Sequence, residues 1–463
     1  MEGLYRLMQQ DYTKSSMHLN PPLVAMTLVV MISLYSLGVS TVGLFFAGSF
    51  LALIVLTYHP LVPGMRRTWR IHLIMGVFIF LRRLDFLTSK LLGRQPFPLN
   101  IVSKQLPIIR DKTKLPRSAS FGQVKVTREE IAGVPVIVYR PYKMASPSPA
   151  LVFMRGAGFV MGNADLFDWT VYEYAKKTNI MAVLTNCCQA PQHPFPEPFN
   201  ENLEVTRYIL QHGADLGIDV ENVGVGGDSA GAHFAAAVAT TLANEEDSDL
   251  PCLKFQVLQV PTLQIFDLRL PSYQDYHKFT SFIDAHGIAV NYALYMGFDG
   301  ERLAAAASIL VDNAHISPEL RDSKYADYIS VKRLPIPYRK PKRPLPPLTS
   351  TLHHDPGIIA EIARHVLDPR MSPLMAPDLS RMPPTFIEIA EFDIFRDDGF
   401  LYASRLSEAG VKVQVHFSEN GFHCDAAKLL PDFLTVESGK KTLSAASDFI
   451  LRILHRQKEP KFG

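Results

Sequence analysis

Cysteine is scarce in this chain, with only four among 463 residues, at positions 187, 188, 252 and 424. So few cysteines do not make a disulfide framework in a chain of this length. No Cys-x-x-Cys pair and no cluster of histidine and cysteine at metal-ligand spacing is present, so the sequence predicts no metal site. The formal net charge is only +2, which argues against a general attraction to nucleic acid.

Charged residues are absent from one long segment near the start of the chain. Between Lys14 and Arg66 there is no Asp, Glu, Lys or Arg, and residues 23–57 are predominantly apolar. A helix of that length would extend roughly 50 Å, well beyond the ~30 Å hydrocarbon core of a bilayer. A secretory signal has an apolar region of only about 7–15 residues, so cleavage is not expected here.

The apolar segment predicts a transmembrane anchor at 23–65, after a tail at 1–22 and before an interfacial or linker segment at 66–120. The anchor is either one span with an apolar extension or a helical hairpin that turns near 37–41. A buried helix of a soluble domain is the alternative, although so long an uncharged run would strain such a fold. Arginines at 66, 67, 70, 82 and 83 favour a cytosolic side for the segment after the anchor.

A nucleophile turn is indicated by Gly227-Asp228-Ser229-Ala230-Gly231. An apolar stretch precedes this pentapeptide and a run of small residues comes after it, which is the order strand, turn, helix. In a Gly-x-Ser-x-Gly turn of this kind the serine takes strained backbone angles and exposes its hydroxyl group. The motif alone is weak evidence, because three fixed positions also occur by chance.

Two partners for the serine come later in the chain, in the order that its chemistry requires. Asp393 comes after one strand-like stretch and His423 comes after the next. A serine hydroxyl is a poor nucleophile until an imidazole takes its proton, and a carboxylate orients and stabilises that imidazole. The order therefore predicts a triad of Ser229, His423 and one of the acids that follow the first of these stretches, among them Asp393. Asp397 and Asp398 are nearby rivals, which we interpret as a helix N-terminal pair favoured by the helix dipole.

A glycine-rich turn upstream predicts an oxyanion hole. The turn Arg155-Gly156-Ala157-Gly158-Phe159 comes directly after an apolar strand at 150–154. The expected donors to the oxyanion are the backbone N–H groups of Ala157 and Gly158, together with that of Ala230 after the serine. If Ala157 needs a positive φ angle, its Cβ atom costs roughly 1 kcal/mol or more.

These motifs resemble the hormone-sensitive-lipase branch of the α/β-hydrolases, and within it the arylacetamide deacetylase and neutral cholesterol ester hydrolase family. The resemblance runs from about Val124 to the C-terminus, and it is most specific at 227–231, at Leu-Pro-Ser-Tyr-Gln (270–274) and at 392–399. It implies that Asp393 is the triad acid and that His423 is the base.

The chain departs from the family pattern at two places. The family usually has His-Gly-Gly-Gly where this chain has Arg155-Gly156-Ala157-Gly158. It typically has Asn-Tyr-Arg-Leu-Ala-Pro where this chain has Asn-Cys-Cys-Gln-Ala-Pro at 186–191. The second change removes a buried arginine that ties loops together in the family, and Arg155 is a candidate replacement.

The predicted fold is α/β, an α/β-hydrolase fold with a mostly parallel sheet and helices on both faces, at residues 121–463. Strand-like and helix-like stretches alternate in sequence, which is typical of this architecture. The alternation pauses between about 261 and 383, where the sequence predicts a cap or insertion over an apolar pocket.

Together these features predict a membrane-anchored serine carboxylic-ester hydrolase that acts on lipophilic esters and contacts membrane lipid, with no cofactor and no nucleic-acid partner. The resemblance also implies amide hydrolysis and the endoplasmic reticulum membrane, with the enzyme facing the lumen. The arginines favour the cytosol instead, so the facing side stays open. Two alternatives are a catalytically impaired hydrolase-fold protein that binds a small molecule or lipid, and a transacylase.

Overall fold

A computed structural model describes residues 21–36, scattered positions between 40 and 80, and the ranges 123–162, 164–245, 249–276, 283–340, 355–426 and 436–455. The chain divides into two compact units, namely 1–106 with 278–282 and 107–277 with 283–463. The first unit contains helix α1 (Pro21–Ser36). Within the described residues, no helix combines the length and apolar character needed to cross a membrane. Most of 23–65 and 66–120 lies outside the described residues, so the anchor and the linker stay predictions.

The second unit is built on one eight-stranded sheet in the order β1-β2-β4-β3-β5-β6-β7-β8. The strands are β1 (Val124–Ile131), β2 (Val134–Pro141), β3 (Ser148–Met154), β4 (Met181–Thr185), β5 (Ile218–Asp228), β6 (Gln256–Gln259), β7 (Thr385–Phe392) and β8 (Val413–Phe422). The pairs β1–β2 and β2–β4 are antiparallel, and every neighbouring pair from β4 to β8 is parallel. The mostly parallel sheet expected from the alternating elements is therefore present.

Helices pack on the sheet in two groups. Helices α2 (Asp168–Thr178) and α12 (Glu437–His455) contact each other, while α3 (Glu197–His212) and α4 (Ala230–Asn244) contact each other and β5. Helix α11 (Arg396–Glu408) packs on β7. Strands β4 and β6 are buried along their whole length. Because successive residues of a strand point to opposite faces, both faces of the sheet are covered.

The segment between β6 and β7 contains helices and, within its described residues, no strand. These helices are α5 (Pro271–Tyr276), α6 (Ala285–Tyr295), α7 (Gly300–Val311), α8 (Pro318–Arg321), α9 (Lys324–Tyr328) and α10 (Pro356–Ala363). The alternation of strands and helices is therefore interrupted here, as expected. The assignment of 261–383 as a cap over a substrate stays a prediction.

Two buried carboxylates join this segment to α11. Asp398 accepts hydrogen bonds from the Leu263 amide and the Tyr273 hydroxyl, both at 3.1 Å. Asp397 accepts one from the Ser272 amide at 2.8 Å. Both acids lie in the first turn of α11, as expected, but the interpretation through the helix dipole alone is incomplete. Their main contacts hold the inserted segment on the sheet.

Candidate active site

Ser229 lies at the sharp turn between the end of β5 and the start of α4. Its φ of 56° and ψ of −119° are backbone angles that a residue with a side chain rarely adopts. A Cβ atom on Gly227 would overlap the backbone of Gly231, and one on Gly231 would overlap the carbonyl oxygen of Met154. The two glycines therefore let the strand, the turn and the helix approach one another this closely.

The side chains of Ser229, His423 and Asp393 form a continuous chain of contacts. Ser229 Oγ lies 2.9 Å from His423 Nε2, and His423 Nδ1 lies 2.8 Å from Asp393 Oδ2. Asp393 is 1% exposed, and its other carboxylate oxygen accepts the Phe395 amide at 3.0 Å. The three residues come from turns at the ends of β5, β7 and β8, which share one edge of the parallel sheet.

The electrostatic surroundings of His423 suit a general base. Burial lowers the pKa of its imidazole, but the neighbouring carboxylates of Asp393, Asp228 and Asp425 outweigh burial and raise the pKa above the ordinary value. Carboxylates in these positions would stabilise an imidazolium if the ring took a proton from Ser229.

The glycine-rich turn after β3 packs directly against the nucleophile turn. A Cβ atom on Gly156 would overlap the backbone carbonyl oxygen of Asp228. Ala157 has a φ of 76° and Gly158 a φ of 62°, so Ala157 carries the left-handed strain that its Cβ atom makes costly, about 1 kcal/mol. Among the described residues, no acceptor bonds the backbone N–H groups of Ala157, Gly158 or Ala230. Free donors of this kind are what an oxyanion hole requires.

Arg155 is a buried bridge between loops, with 3% of its surface exposed. Its guanidinium donates hydrogen bonds to the carbonyl oxygens of Met161 at 3.1 Å and Cys187 at 2.9 Å. It also reaches Gln189 Oε1 at 3.2 Å. Arg155 thus connects the glycine-rich turn with the loop after β4. The buried arginine of the family, which this chain lacks in that loop, is expected to connect loops in the same way.

Three further carboxyl groups lie buried behind the triad, and two of them were not singled out in the sequence. Asp228 ends β5, Glu388 lies within β7, and Asp425 comes two residues after His423. Thr442 Oγ1 donates to Glu388 Oε1 at 2.8 Å, and the Ser438 hydroxyl donates to Asp425. The available sequence signal for Glu388 is a charged residue between Ile387 and Ile389 in a strand that is mostly apolar.

Burial governs the protonation of these three acids. It raises the pKa of Asp228 to about 6. Burial also raises the pKa values of Glu388 and Asp425, which interact with each other, and the charge of Asp425 adds to the effect on Glu388. Like charges held close together in an apolar interior favour protonated forms, so Glu388 binds a proton more tightly than an exposed glutamate does.

Cys424 contacts the same cluster. Its Sγ atom donates to Asp228 Oδ1 at 2.9 Å. Burial, and after it the charge of Asp228, raises the thiol pKa well above its ordinary value. Because the thiolate is the reactive form, Cys424 is a hydrogen-bond donor here and a poor nucleophile.

A second buried histidine is held by backbone carbonyl groups. His233 is buried in α4, with its ring nitrogens 2.9 Å from the Thr262 carbonyl oxygen and 3.0 Å from that of Arg370. It is a packed structural residue. His353 and His354 lie outside the described residues.

Comparison with known proteins agrees with this architecture. The α/β-hydrolase fold family matches residues 151–322 and 357–426. The esterase LipW from Mycobacterium marinum has 22% identity and a TM-score of 0.56, over 77% of this chain and 90% of that one. A bacterial heroin esterase has 24% identity and a TM-score of 0.54, over 75% and 89% of the two chains. At these identities the two structures establish the fold.

Curated relatives cover most of the chain. Arylacetamide deacetylase from Oryctolagus cuniculus is 30% identical over 394 residues, which are 83% of this chain and 94% of that protein. Neutral cholesterol ester hydrolase 1 from Rattus norvegicus is 31% identical over 375 residues, which are 79% and 88% of the two. This chain therefore belongs to the arylacetamide deacetylase and neutral cholesterol ester hydrolase family of α/β-hydrolases, and it is a carboxylic-ester hydrolase.

Proposed function

We propose that this protein is a membrane-anchored serine hydrolase that cleaves lipophilic carboxylic esters through an acyl-enzyme. The observation that supports this most strongly is the unbroken path from Ser229 Oγ through His423 to Asp393, with contacts of 2.9 and 2.8 Å. Distances of this size allow proton transfer without rearrangement of the site.

In the acylation step, Ser229 Oγ attacks the ester carbonyl carbon while His423 Nε2 takes the hydroxyl proton. Asp393 holds His423 in the required tautomer and stabilises the resulting positive charge. The carbonyl oxygen becomes an oxyanion, which accepts hydrogen bonds from the backbone amides of Ala157, Gly158 and Ala230. The intermediate then expels the alcohol, which takes the proton from His423, and leaves the acyl group on Ser229.

In the deacylation step, His423 removes a proton from water, and the resulting nucleophile attacks the acyl carbon. A second oxyanion forms in the same place and collapses to release the carboxylic acid. Ser229 recovers its proton from His423, so the cycle closes without a cofactor.

The proposed substrates are esters with apolar groups, such as short-chain acyl esters, acetylated sterols or neutral lipids. The relatives are named for the deacetylation of arylacetamides and the hydrolysis of cholesterol esters. An uncharged apolar segment at 23–57 supports anchoring in a membrane, which we propose to be that of the endoplasmic reticulum. Substrates that partition into lipid would then reach the enzyme in the bilayer.

Covalent labelling with a fluorophosphonate tests the proposed nucleophile in the detergent-solubilised full chain. We expect wild-type protein to be labelled, and Ser229→Ala and His423→Ala to lose the label. The matched control is Ser380→Ala, since Ser380 is exposed and bonds only locally to Asp378. Labelling that survives in Ser229→Ala would contradict the assignment. After successful labelling, a series of esters of increasing acyl length defines the substrate class.

A second candidate function is ligand binding by an impaired hydrolase site. The left-handed φ of 76° at Ala157 favours it, because the strain falls on a proposed oxyanion donor. The same experiment separates the two functions: folded wild-type protein that resists labelling and hydrolyses no ester would favour the binder.

A further inference from the structure

A group of ligand-type side chains lies away from the triad, where the loop after β4 meets the start of α3. Cys188 belongs to the loop, His193 lies five residues later, and Glu197 is the first residue of α3. Cys188 is partly buried, whereas the side chains of His193 and Glu197 are 54% and 58% exposed. The group is therefore open to ions from solvent.

The potential ligand atoms converge. The Cys188 sulfur, one His193 ring nitrogen and one Glu197 carboxylate oxygen all lie within 4.8 Å of one another. His193 Nδ1 and Glu197 Oε2 are 2.6 Å apart. Around tetrahedral zinc, bonds of about 2.0–2.3 Å place ligand atoms roughly 3.3–3.8 Å apart. Shifts of about 1 Å in two exposed side chains would reach that geometry.

Glu201 supplies a fourth possible ligand atom, an oxygen, beside the other three. It lies one helical turn after Glu197, so both side chains project from the same face of α3. Its Oε2 atom accepts a hydrogen bond from the backbone amide of Cys188 at 2.6 Å. Glu201 therefore already contacts the residue that would provide the sulfur ligand.

The charge around this group favours a cation. Within the described part of the chain, neither Glu197 nor Glu201 forms an ion pair with a lysine or an arginine. The buried cation Arg155 directs its guanidinium at the backbone carbonyls of Cys187 and Cys188. Two carboxylates that lack a lysine or arginine partner among the described residues lie next to a thiol and an imidazole. The site is therefore negatively charged and offers oxygen, sulfur and nitrogen ligands.

We propose that Cys188, His193 and Glu197 bind one zinc ion, with Glu201 or water as the fourth ligand. Sulfur, nitrogen and oxygen donors together select a borderline-soft transition metal over the hard ions Mg²⁺ and Ca²⁺. Binding exchanges the Cys188 proton for the metal, so one proton is released for each ion bound.

The role we assign to this site is structural. The ion would clamp the loop after β4 to α3, and the same loop carries the carbonyl oxygens that hold Arg155. Arg155 in turn belongs to the glycine-rich turn beside Ser229. The metal would thus stiffen the support of the active site without touching the triad, and its presence does not depend on the proposed catalytic function.

Cobalt substitution tests the proposed ligands directly. The full chain in detergent is stripped with a chelator, titrated with Co²⁺, and monitored by absorption spectroscopy. We expect a thiolate-to-cobalt charge-transfer band that saturates at one equivalent and disappears when Zn²⁺ is added. Cys188→Ser should lose the band, and His193→Ala should bind Co²⁺ at least about tenfold more weakly. The control Cys252→Ser, at an exposed cysteine, should keep it.

Thermal unfolding provides a second readout that needs no activity and checks that each variant is folded. Zn²⁺ should raise the melting temperature of wild-type and Cys252→Ser protein but not that of Cys188→Ser or Glu197→Gln, since an ion stabilises only a state that binds it. Mg²⁺ should raise none of them. A band that persists in Cys188→Ser, the absence of any thiolate band in wild type, or equal zinc stabilisation of wild type and Cys188→Ser would overturn the proposal.

Discussion

Cys424 illustrates how a single residue next to His423 can act through a hydrogen bond. Its thiol donates to Asp228, whose other carboxylate oxygen is buried without a partner among the described residues. The contact joins the turn that carries His423 to the turn that carries Ser229. If the donor were removed, the buried carboxylate would keep its desolvation cost without a compensating hydrogen bond. The main contribution of the bond is therefore to offset that cost.

We expect Cys424→Ala to lower the free energy of unfolding by about 1–3 kcal/mol at pH 8, where Asp228 is largely ionised. Cys424→Ser should retain most of the stability, because its hydroxyl can donate to the same oxygen. Thermal and denaturant unfolding measure the difference, with Cys252→Ala as the exposed control. Equal stability of Cys424→Ala and Cys252→Ala would contradict this role.

Asp425 acts on His423 through charge. Its carboxylate is one of those that raise the pKa of the imidazole, and the reaction needs the neutral ring as a base. Burial raises the pKa of Asp425 to about 7, so its charge acts on the ring above that pH, and removing it there lowers the pKa of the imidazole. We therefore expect Asp425→Asn to move the acid limb of the kcat/KM profile to lower pH.

The asparagine keeps an acceptor for the Ser438 hydroxyl, which limits structural damage. Asp448→Asn is the control, because Asp448 is exposed on α12. An acid limb that stays in place in Asp425→Asn while that variant remains active would show that the charge of Asp425 does not reach the histidine.

At the scale of elements, the proposed catalysis depends on how closely the glycine-rich turn approaches the β5–α4 turn. Gly156 allows this approach, since a Cβ atom there would overlap the Asp228 carbonyl oxygen. Backbone cannot move aside as a flexible side chain can, so the two turns would have to separate. The proposed oxyanion donors Ala157 and Gly158 would move away from the serine with the turn.

We expect Gly156→Ala to lower kcat by about 100-fold or more, the loss associated with one oxyanion donor, with a smaller change in KM. The control is Gly410→Ala, where φ is 83° but no atom lies within 4 Å of the added Cβ. That variant should lose about 1 kcal/mol of stability and keep its kcat. Steady-state kinetics on one ester measure both, and an unchanged kcat in Gly156→Ala would exclude the turn from the oxyanion hole.

At the scale of the whole molecule, buried carboxyl groups with raised pKa values make stability depend on pH. Asp228, Glu388 and Asp398 hold protons that the unfolded chain loses near pH 4, and the pKa of Asp398 is raised to about 7 by burial. The folded state therefore binds more protons than the unfolded state above that pH. Through proton linkage, these groups lower the free energy of unfolding as pH rises from about 4.5.

We expect the stability of Glu388→Gln, measured relative to wild type, to be higher at pH 8 than at pH 5. The reason is that glutamine has no proton to lose as the pH rises. Melting temperatures at the two pH values measure the change. The control is Glu437→Gln, at an exposed position on α12, the helix that packs behind Glu388. It should show no such difference. A constant offset between Glu388→Gln and wild type at both pH values would refute the linkage.

Much of the fold is set by local patterns in the sequence. Apolar strands alternate with helix-forming stretches, and the mostly parallel sheet has the elements in the expected places. The ends of elements are less well defined by such patterns: β5 begins at Ile218, before the apolar stretch that precedes the Gly-x-Ser-x-Gly turn. Tertiary pairing with β3 extends the strand beyond its apolar part.

The order of elements, the Gly-x-Ser-x-Gly turn and the candidates Ser229 and His423 could be predicted from the amino-acid sequence, because each depends on local backbone geometry or chain order, and the family resemblance added Asp393. Which distant groups meet follows from the folded arrangement of the strands. It brought Arg155 to the carbonyls after β4, Cys424 to Asp228, and Glu388 to Asp425. The residues that make such contacts are not separated by a regular interval in the sequence. Their pairing depends on which strand ends lie together at one edge of the sheet and on which buried polar groups need a hydrogen-bond partner.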